Sequence, residues 1–245
     1  MRRLLRRLPH LGAALACGLA TACSAAAHPA APPPQVPPAS SATPATVRPH
    51  LAYAALGASE TFGIGASPVT EGYAYRLRDE LGLGPSSFAD VGIPGATLGA
   101  AYETELANAL AIQPTVCTVF FGVNDIRAGI PLTRFRSDLT DLVTTLRRAG
   151  ARVLVIGIPD LTHLPALRSM GGAELVSLAH QWSSAMHEVA SATGAAFLDL
   201  DGLSGELAAH PEEVAADGLH PSNLGHARLA AAILAALRAQ GDVGP

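Results

Sequence analysis

From residue 51 onward, short apolar runs alternate with amphipathic stretches along the chain. The apolar runs predict five β-strands, at 51–56, 88–91, 115–121, 152–158 and 196–200. Between them, apolar positions recur at helical spacing and predict helices over 73–83, 98–111, 132–149, 174–193 and 223–239. This alternation is typical of a parallel sheet with helices on both faces. We therefore predict one doubly wound α/β domain over residues 51–241.

The first 22 residues follow a different pattern. Four arginines at positions 2, 3, 6 and 7 precede an apolar run from 11 to 22 that is too short to span a bilayer. This arrangement predicts a signal peptide over residues 1–22 and hence export from the cell. The sequence "LATAC" ends at Cys23 and is similar to a bacterial lipobox, which predicts Cys23 as a lipidated residue. Ala20 and Ala22 also form an A-x-A cleavage site, so ordinary secretion is the alternative to a cell-surface lipoprotein.

Residues 23–50 are rich in alanine, proline, serine and threonine and contain few aliphatic side chains. Such a composition cannot bury enough apolar surface to fold, and its prolines favour extended conformations. We predict a disordered linker here. If Cys23 carries lipid, that anchor is the predicted contact with a membrane.

The composition excludes several kinds of chemistry. All 16 basic residues are arginine, so Schiff-base enzymes, Ser-Lys dyads and the phosphate-binding Walker loop, which need lysine, do not apply. The net charge of -4 argues against a nucleic-acid partner, which requires a cationic surface. Of the three cysteines, only Cys117 lies within the predicted domain, where we expect a buried apolar residue and no disulfide.

Polar residues and glycines follow the first three predicted strands. Ser59 follows the first strand, Gly95 the second and Asn124 the third. Ligands of open parallel sheets bind at the carboxyl ends of the strands, close to the point where the strand order reverses. A hydroxyl, a backbone N–H and a carboxamide are therefore expected at one edge, where they could serve as a nucleophile and as donors to an oxyanion.

A general base is found near the C-terminus, in "DGLHPSNLGH". Asp217 and His220 are three residues apart, so one turn of chain can bring their side chains together. A carboxylate bonded to one ring nitrogen fixes the tautomer that leaves the other nitrogen free to accept a serine proton. We expect His226, six residues further on, to lie on the surface of the last helix.

Four separated segments resemble the sequence blocks of the SGNH or GDSL hydrolases, which are esterases and lipases with a flavodoxin-like three-layer α/β/α fold. The segments are "GASET", "GIPGAT", "GVND" and "DGLHP", in the order found in that family. The resemblance implies that Ser59 is the nucleophile and that Asp217 and His220 complete a catalytic triad. It also implies an oxyanion hole formed by the N–H groups of Ser59 and Gly95 and the Asn124 amide, with no metal or other cofactor.

Two positions depart from the family pattern. Ala58 stands where aspartate is usual, and Asp90 stands where asparagine is usual. Neither position supplies the nucleophile, the base or an oxyanion donor, so we expect altered loop geometry and retained activity.

The sequence thus predicts an exported serine esterase that acts on a small-molecule or lipid ester. A carbohydrate O-acetylesterase with the same triad is one alternative. A non-catalytic binding lipoprotein on the same scaffold is another. Taken singly, each motif also has a structural explanation: a serine is a common helix cap, and an Asx turn or a tight glycine bend closes many strands.

Overall fold

Five parallel strands form a single sheet in the computed structural model, which describes residues 50–170, 172–201, 205 and 209–244. The strands are β1 (Tyr53–Gly57), β2 (Phe88–Asp90), β3 (Val116–Phe120), β4 (Arg152–Ile156) and β5 (Ala196–Leu198). Their order across the sheet is β2-β1-β3-β4-β5, and every neighbouring pair is parallel. The order reverses at β1, which pairs with both β2 and β3.

Seven α-helices lie within the described residues. They are α1 (Ser59–Phe62), α2 (Tyr73–Glu80), α3 (Leu98–Ala111), α4 (Val123–Arg127), α5 (Leu132–Arg148), α6 (Gly172–Thr193) and α7 (Asn223–Ala239). Because successive side chains of a strand point to opposite faces, the sheet contributes to two separate cores. One core packs against α3, α5 and α6, and the other packs against α2 and α7. The result is the predicted three-layer α/β/α sandwich.

The central strands are buried on both faces, as their continuous apolar sequences require. All five residues of β1 and of β3 are buried. Cys117, in β3, is fully buried, and burial raises the pKa of its thiol to about 12. It therefore packs as a small apolar side chain, as predicted.

The predicted elements agree with the structure to within about three residues at each end. The short helices α1 and α4 were not predicted. The predicted signal peptide, Cys23 and all of the predicted linker except His50 lie outside the described residues. Within the part of the chain that is described, no helix has the length and apolar character needed to cross a membrane.

Candidate active site

Three adjacent strand ends bring the predicted oxyanion residues to one edge of the sheet. Ser59 begins α1 two residues after β1, and Asn124 lies in α4, four residues after β3. Gly95 lies in the loop between β2 and α3. Because β1 lies between β2 and β3, the three connections leave the sheet side by side.

The turn that carries Ser59 depends on Gly57. Gly57 has a φ of +157°, which lies within the range that L side chains rarely adopt. An added Cβ would also lie 2.6 Å from the Phe120 carbonyl oxygen, so this turn is specific to glycine. Ser59 is the first residue of α1, so its N–H has no partner within the helix. The residue is 8% exposed, and its Oγ donates a hydrogen bond to Glu60 Oε2 at 3.2 Å. Glu60 was not recognised from the sequence.

The Gly95 loop is fixed against the same turn. Ile93 N donates to Gly57 O at 3.0 Å, and Ala96 N donates to Ile93 O at 3.1 Å. Gly95 has a positive φ of 78°, is exposed, and has no atom within 4 Å of the position of an added Cβ. Its backbone is therefore open to a ligand on that side.

Two neighbouring side chains join α4 to the Gly95 loop. Asn124 Nδ2 donates to Ala96 O at 3.1 Å. Asp125 accepts from Leu98 N, the first N–H of α3, at 3.0 Å. Asp125 is 1% exposed, and burial raises the pKa of its carboxyl to about 6 despite this hydrogen bond. Asn124 and Asp125 thus hold one predicted oxyanion loop against the next.

Asp217 and His220 form the predicted pair. His220 Nδ1 lies 2.6 Å from Asp217 Oδ2, and Asp217 Oδ1 accepts from the backbone N–H groups of Leu219 and His220 at 2.9 and 3.0 Å. Burial alone would raise the pKa of Asp217, but the hydrogen bonds from His220 and from both backbone groups lower it to about 2. The carboxylate is therefore ionised at neutral pH, and it favours the tautomer in which His220 Nε2 carries a lone pair.

The His220 segment packs against the chain that follows Ser59. Gly65 has a φ of +93°, and a side chain there would lie 3.0 Å from the Cβ of His220. Glu60 and His220 line the same cavity. The structure therefore brings the serine and histidine segments together. In this conformation no hydrogen bond joins Ser59 and His220, both of which are described, and the serine hydroxyl donates to Glu60.

His226 does not lie on the helix surface, so that expectation was wrong. It lies on α7 and is fully buried against the loop after Ser59. Its Nε2–H donates to Ile64 O at 3.0 Å, and its Nδ1 accepts from Tyr73 N at 3.3 Å. Burial lowers the pKa of the imidazole, which favours the neutral ring that these two bonds require. His226 faces inward, where its partners are Ile64 and Tyr73. These residues are 162 and 153 positions earlier in the chain, so the local sequence did not indicate the contact.

An apolar cavity of about 90 Å³ lies beside His220. This volume is several times what one water molecule requires. The cavity is also lined by an ion pair between Glu213 and Arg228, whose atoms lie 2.8 Å apart. Most of its lining is apolar and includes Phe120, Leu161, Leu164, Leu200, Leu219 and Leu229.

The fold resembles that of known esterases. The chain matches the structure of acetylxylan esterase Axe2 from Geobacillus stearothermophilus with 20% identity and a TM-score of 0.60, covering 76% of this chain and 94% of that chain. It matches TesA with 21% identity and a TM-score of 0.60, covering 76% and 97%. It matches the psychrotrophic esterase EstA from Pseudoalteromonas with 18% identity and a TM-score of 0.57, covering 76% and 97%. None of the curated proteins compared with this chain matches it.

The fold is that of the SGNH-type ester hydrolases. Residues 55–228 match the model of the GDSL-like Lipase/Acylhydrolase family. This range begins within β1 and includes the other four strands and all five predicted site residues of the triad and oxyanion hole. The chain belongs to this family and is an ester hydrolase, whose substrate is a small-molecule ester.

Proposed function

We propose that this protein is a serine esterase in which Ser59, His220 and Asp217 act as a catalytic triad. The observation that carries the proposal is the 2.6 Å contact between His220 and Asp217 on a segment that packs against the Ser59 loop. A carboxylate that orients a neutral imidazole prepares it to accept the proton of a serine hydroxyl.

In the proposed reaction, the Ser59 hydroxyl turns from Glu60 towards His220 Nε2, and Oγ attacks the ester carbonyl carbon as His220 takes the proton. His220 then donates this proton to the leaving alcohol, which produces an acyl-serine. Water, deprotonated by His220, attacks the acyl carbon, and the bond to Ser59 Oγ breaks as His220 returns the proton to Oγ, which releases the acid and restores the serine. Asp217 stabilises the imidazolium during both steps.

The negative charge that develops on the carbonyl oxygen needs donors that are already in place. The proposed donors are the N–H groups of Ser59 and Gly95 and the Asn124 amide. The side chain of Asn124 has two N–H bonds, of which one is used on Ala96 O. The other is available for the oxyanion.

The cavity beside His220 supports an ester with an aliphatic chain as substrate. Its many leucines can bury methylene groups, at about 0.8 kcal/mol each. His220 protonates the leaving alcohol, so the alcohol must lie close to His220. A long chain on either the acid or the alcohol can therefore reach this cavity.

A carbohydrate O-acetylesterase is the second candidate. It is supported by the solved structures that share the fold and are named acetyl xylan esterase or acetylxylan esterase. A binding lipoprotein without activity is not supported, because the chain belongs to a family of acylhydrolases and all five predicted site residues are present. We further propose that the protein is exported, with lipid on Cys23 or as a freely secreted enzyme.

Replacement of Ser59 tests the proposed function. We expect Ser59→Ala to lose p-nitrophenyl acetate hydrolysis by at least ~10⁴-fold in kcat, and to lose covalent labelling by a fluorophosphonate, because the nucleophile is gone. Ser86→Ala is the matched control, since Ser86 is exposed before β2, at the opposite edge of the sheet. Activity or labelling of Ser59→Ala at the level of this control would refute the assignment.

A further inference from the structure

A second carboxyl group lies beneath the proposed oxyanion hole and has no part in the triad. Glu105, on α3, is 1% exposed, and its Oε2 accepts from Gly57 N at 2.8 Å. Gly57 immediately precedes the Ala58-Ser59 turn. Nothing in the local sequence marks this residue, because Glu105 and Gly57 are 48 residues apart.

The Gly57 peptide connects both loops that carry backbone donors. Its N–H is bound by Glu105, and its carbonyl oxygen accepts from Ile93 N, two residues before Gly95. Displacement of Gly57 would therefore move the Ser59 and Gly95 N–H groups together. A shift of about 1 Å in a catalytic group can cost about 10²-fold in rate.

The surroundings of Glu105 favour a neutral carboxyl group. Its Oε1 is buried and has no hydrogen-bond partner among the described residues. The charged group that acts on it is Asp90 at the end of β2, which is also acidic. A buried charge without a cationic partner is far more costly than a buried neutral acid. Burial accordingly raises the pKa of Glu105 to about 8, although the nearby N–H groups of Gly57 and Ile93 act in the opposite direction.

We propose that Glu105 is a positioning residue for the oxyanion hole: its neutral carboxyl group holds the Gly57 peptide, and its ionisation places a negative charge beneath the forming oxyanion. The neutral acid accepts the Gly57 N–H bond without adding charge. Once ionised, the carboxylate repels the negative charge of the transition state and weakens catalysis. This inference rests on the proposed function, since it concerns the donors of that site.

The pH profile of kcat tests the proposal. We expect the kcat of the wild type to decline above pH ~8 and to be about tenfold lower at pH 9, because only the enzyme with a neutral Glu105 is fully active. Glu105→Gln keeps the acceptor and cannot ionise, so it should retain kcat at pH 7 and lose this alkaline decline. Glu105→Met removes the acceptor and should lower kcat by about 10- to 100-fold with KM changed by less than about threefold.

Two variants serve as controls. Glu103→Gln changes an exposed residue on the same helix and should keep the wild-type profile. Asp90→Asn removes the neighbouring carboxylate, whose pKa burial raises to about 7, and should keep an alkaline decline. The proposal is overturned if Glu105→Gln declines like the wild type, or if the decline disappears in Asp90→Asn instead. If Glu105→Met does not fold, the Glu105→Gln profile still decides the matter.

A measurement without catalysis separates this proposal from the proposed function. In the Ser59→Ala protein, ¹³C NMR of labelled glutamate should show one carboxyl group that remains protonated at pH 7. If all glutamates are ionised there, the Glu105 proposal fails while the triad can still stand. If Ser59→Ala is fully active, the triad fails whatever the NMR result.

Discussion

At the scale of single residues, hydrogen bonds to loop backbone determine where the proposed oxyanion donors lie. Asn124 binds Ala96 O, Asp125 binds Leu98 N, and Glu105 binds Gly57 N. Each bond crosses between segments that are at least 27 residues apart in the chain. The donors of the site are thus preorganised by contacts with neighbouring loops, which avoids reorganisation during the reaction.

The Asn124 amide is the one proposed oxyanion donor that a side-chain substitution can remove. We expect Asn124→Ala to lower kcat by about 10²- to 10³-fold, because loss of one oxyanion donor has that effect in related chemistry, and to remain more active than Ser59→Ala. Steady-state kinetics with p-nitrophenyl esters provide the measurement. Asn108→Ala, on the exposed face of α3, is the control. Equal kcat values for the two variants would exclude Asn124 from the oxyanion hole.

At the scale of elements, the strands and long helices could be predicted because each repeats its apolar pattern over enough residues. The helices α1 and α4 have four and five residues, too few for a period to show. The predicted site residues could be found from the sequence because they lie in short segments at strand ends. The roles of Glu105 and His226 could not be found in this way, because their partners are distant in the chain and no local pattern encodes such contacts.

We expect the packing of α7 to depend on pH through His226. Its pKa is lowered in the native state, so the unfolded chain binds more protons, and stability should fall as pH drops below the ordinary histidine value of about 6.5. Protonation would place a hydrogen on Nδ1 opposite the Tyr73 N–H, and the positive charge of Arg76 also opposes it. We expect His226→Gln to reduce the free energy of unfolding at pH 7.5 and to differ less from wild type at pH 5.5.

Urea denaturation at both pH values measures this difference. His210→Gln replaces a histidine of which 46% of the side chain is exposed, and it should change stability little at either pH. If His226→Gln shows the same deficit at pH 7.5 and at pH 5.5, the buried imidazole is not the source of the pH dependence.

The cavity beside His220 is formed where α7 and the segment after β4 meet. Leu164 lines it and is 7% exposed. We expect Leu164→Phe to fill part of the cavity and to lower kcat/KM for longer esters relative to acetate. Two ester series, one varied in the acid and one in the alcohol, provide the measurement.

Leu224→Phe is the control for this substitution, because Leu224 is 59% exposed. The same chain-length profile for both variants would show that this cavity does not select the substrate. A wild-type preference for acetyl esters in the acid series, with no gain from longer alcohols in the other series, would favour the carbohydrate O-acetylesterase instead.

At the scale of the whole molecule, the sequence predicts an acidic exported enzyme connected to its anchor by a proline-rich linker. Cleavage before Cys23 would remove four arginines and leave 12 basic against 20 acidic residues. Such a charge disfavours direct association with anionic membrane surfaces, which attract basic segments. Membrane attachment would then depend on the lipid itself.

Replacement of Cys23 tests this attachment. Expressed in a bacterial host, the wild type should incorporate labelled palmitate and sediment with membranes, because acyl chains on the first mature residue anchor it. Cys23→Ser should lose the label and become soluble while keeping esterase activity, since the predicted domain begins at residue 51. Cys17→Ser is the matched control: Cys17 lies within the predicted signal peptide, so its loss should leave labelling unchanged. An unlabelled wild type in the medium would instead support cleavage at the A-x-A site and free secretion.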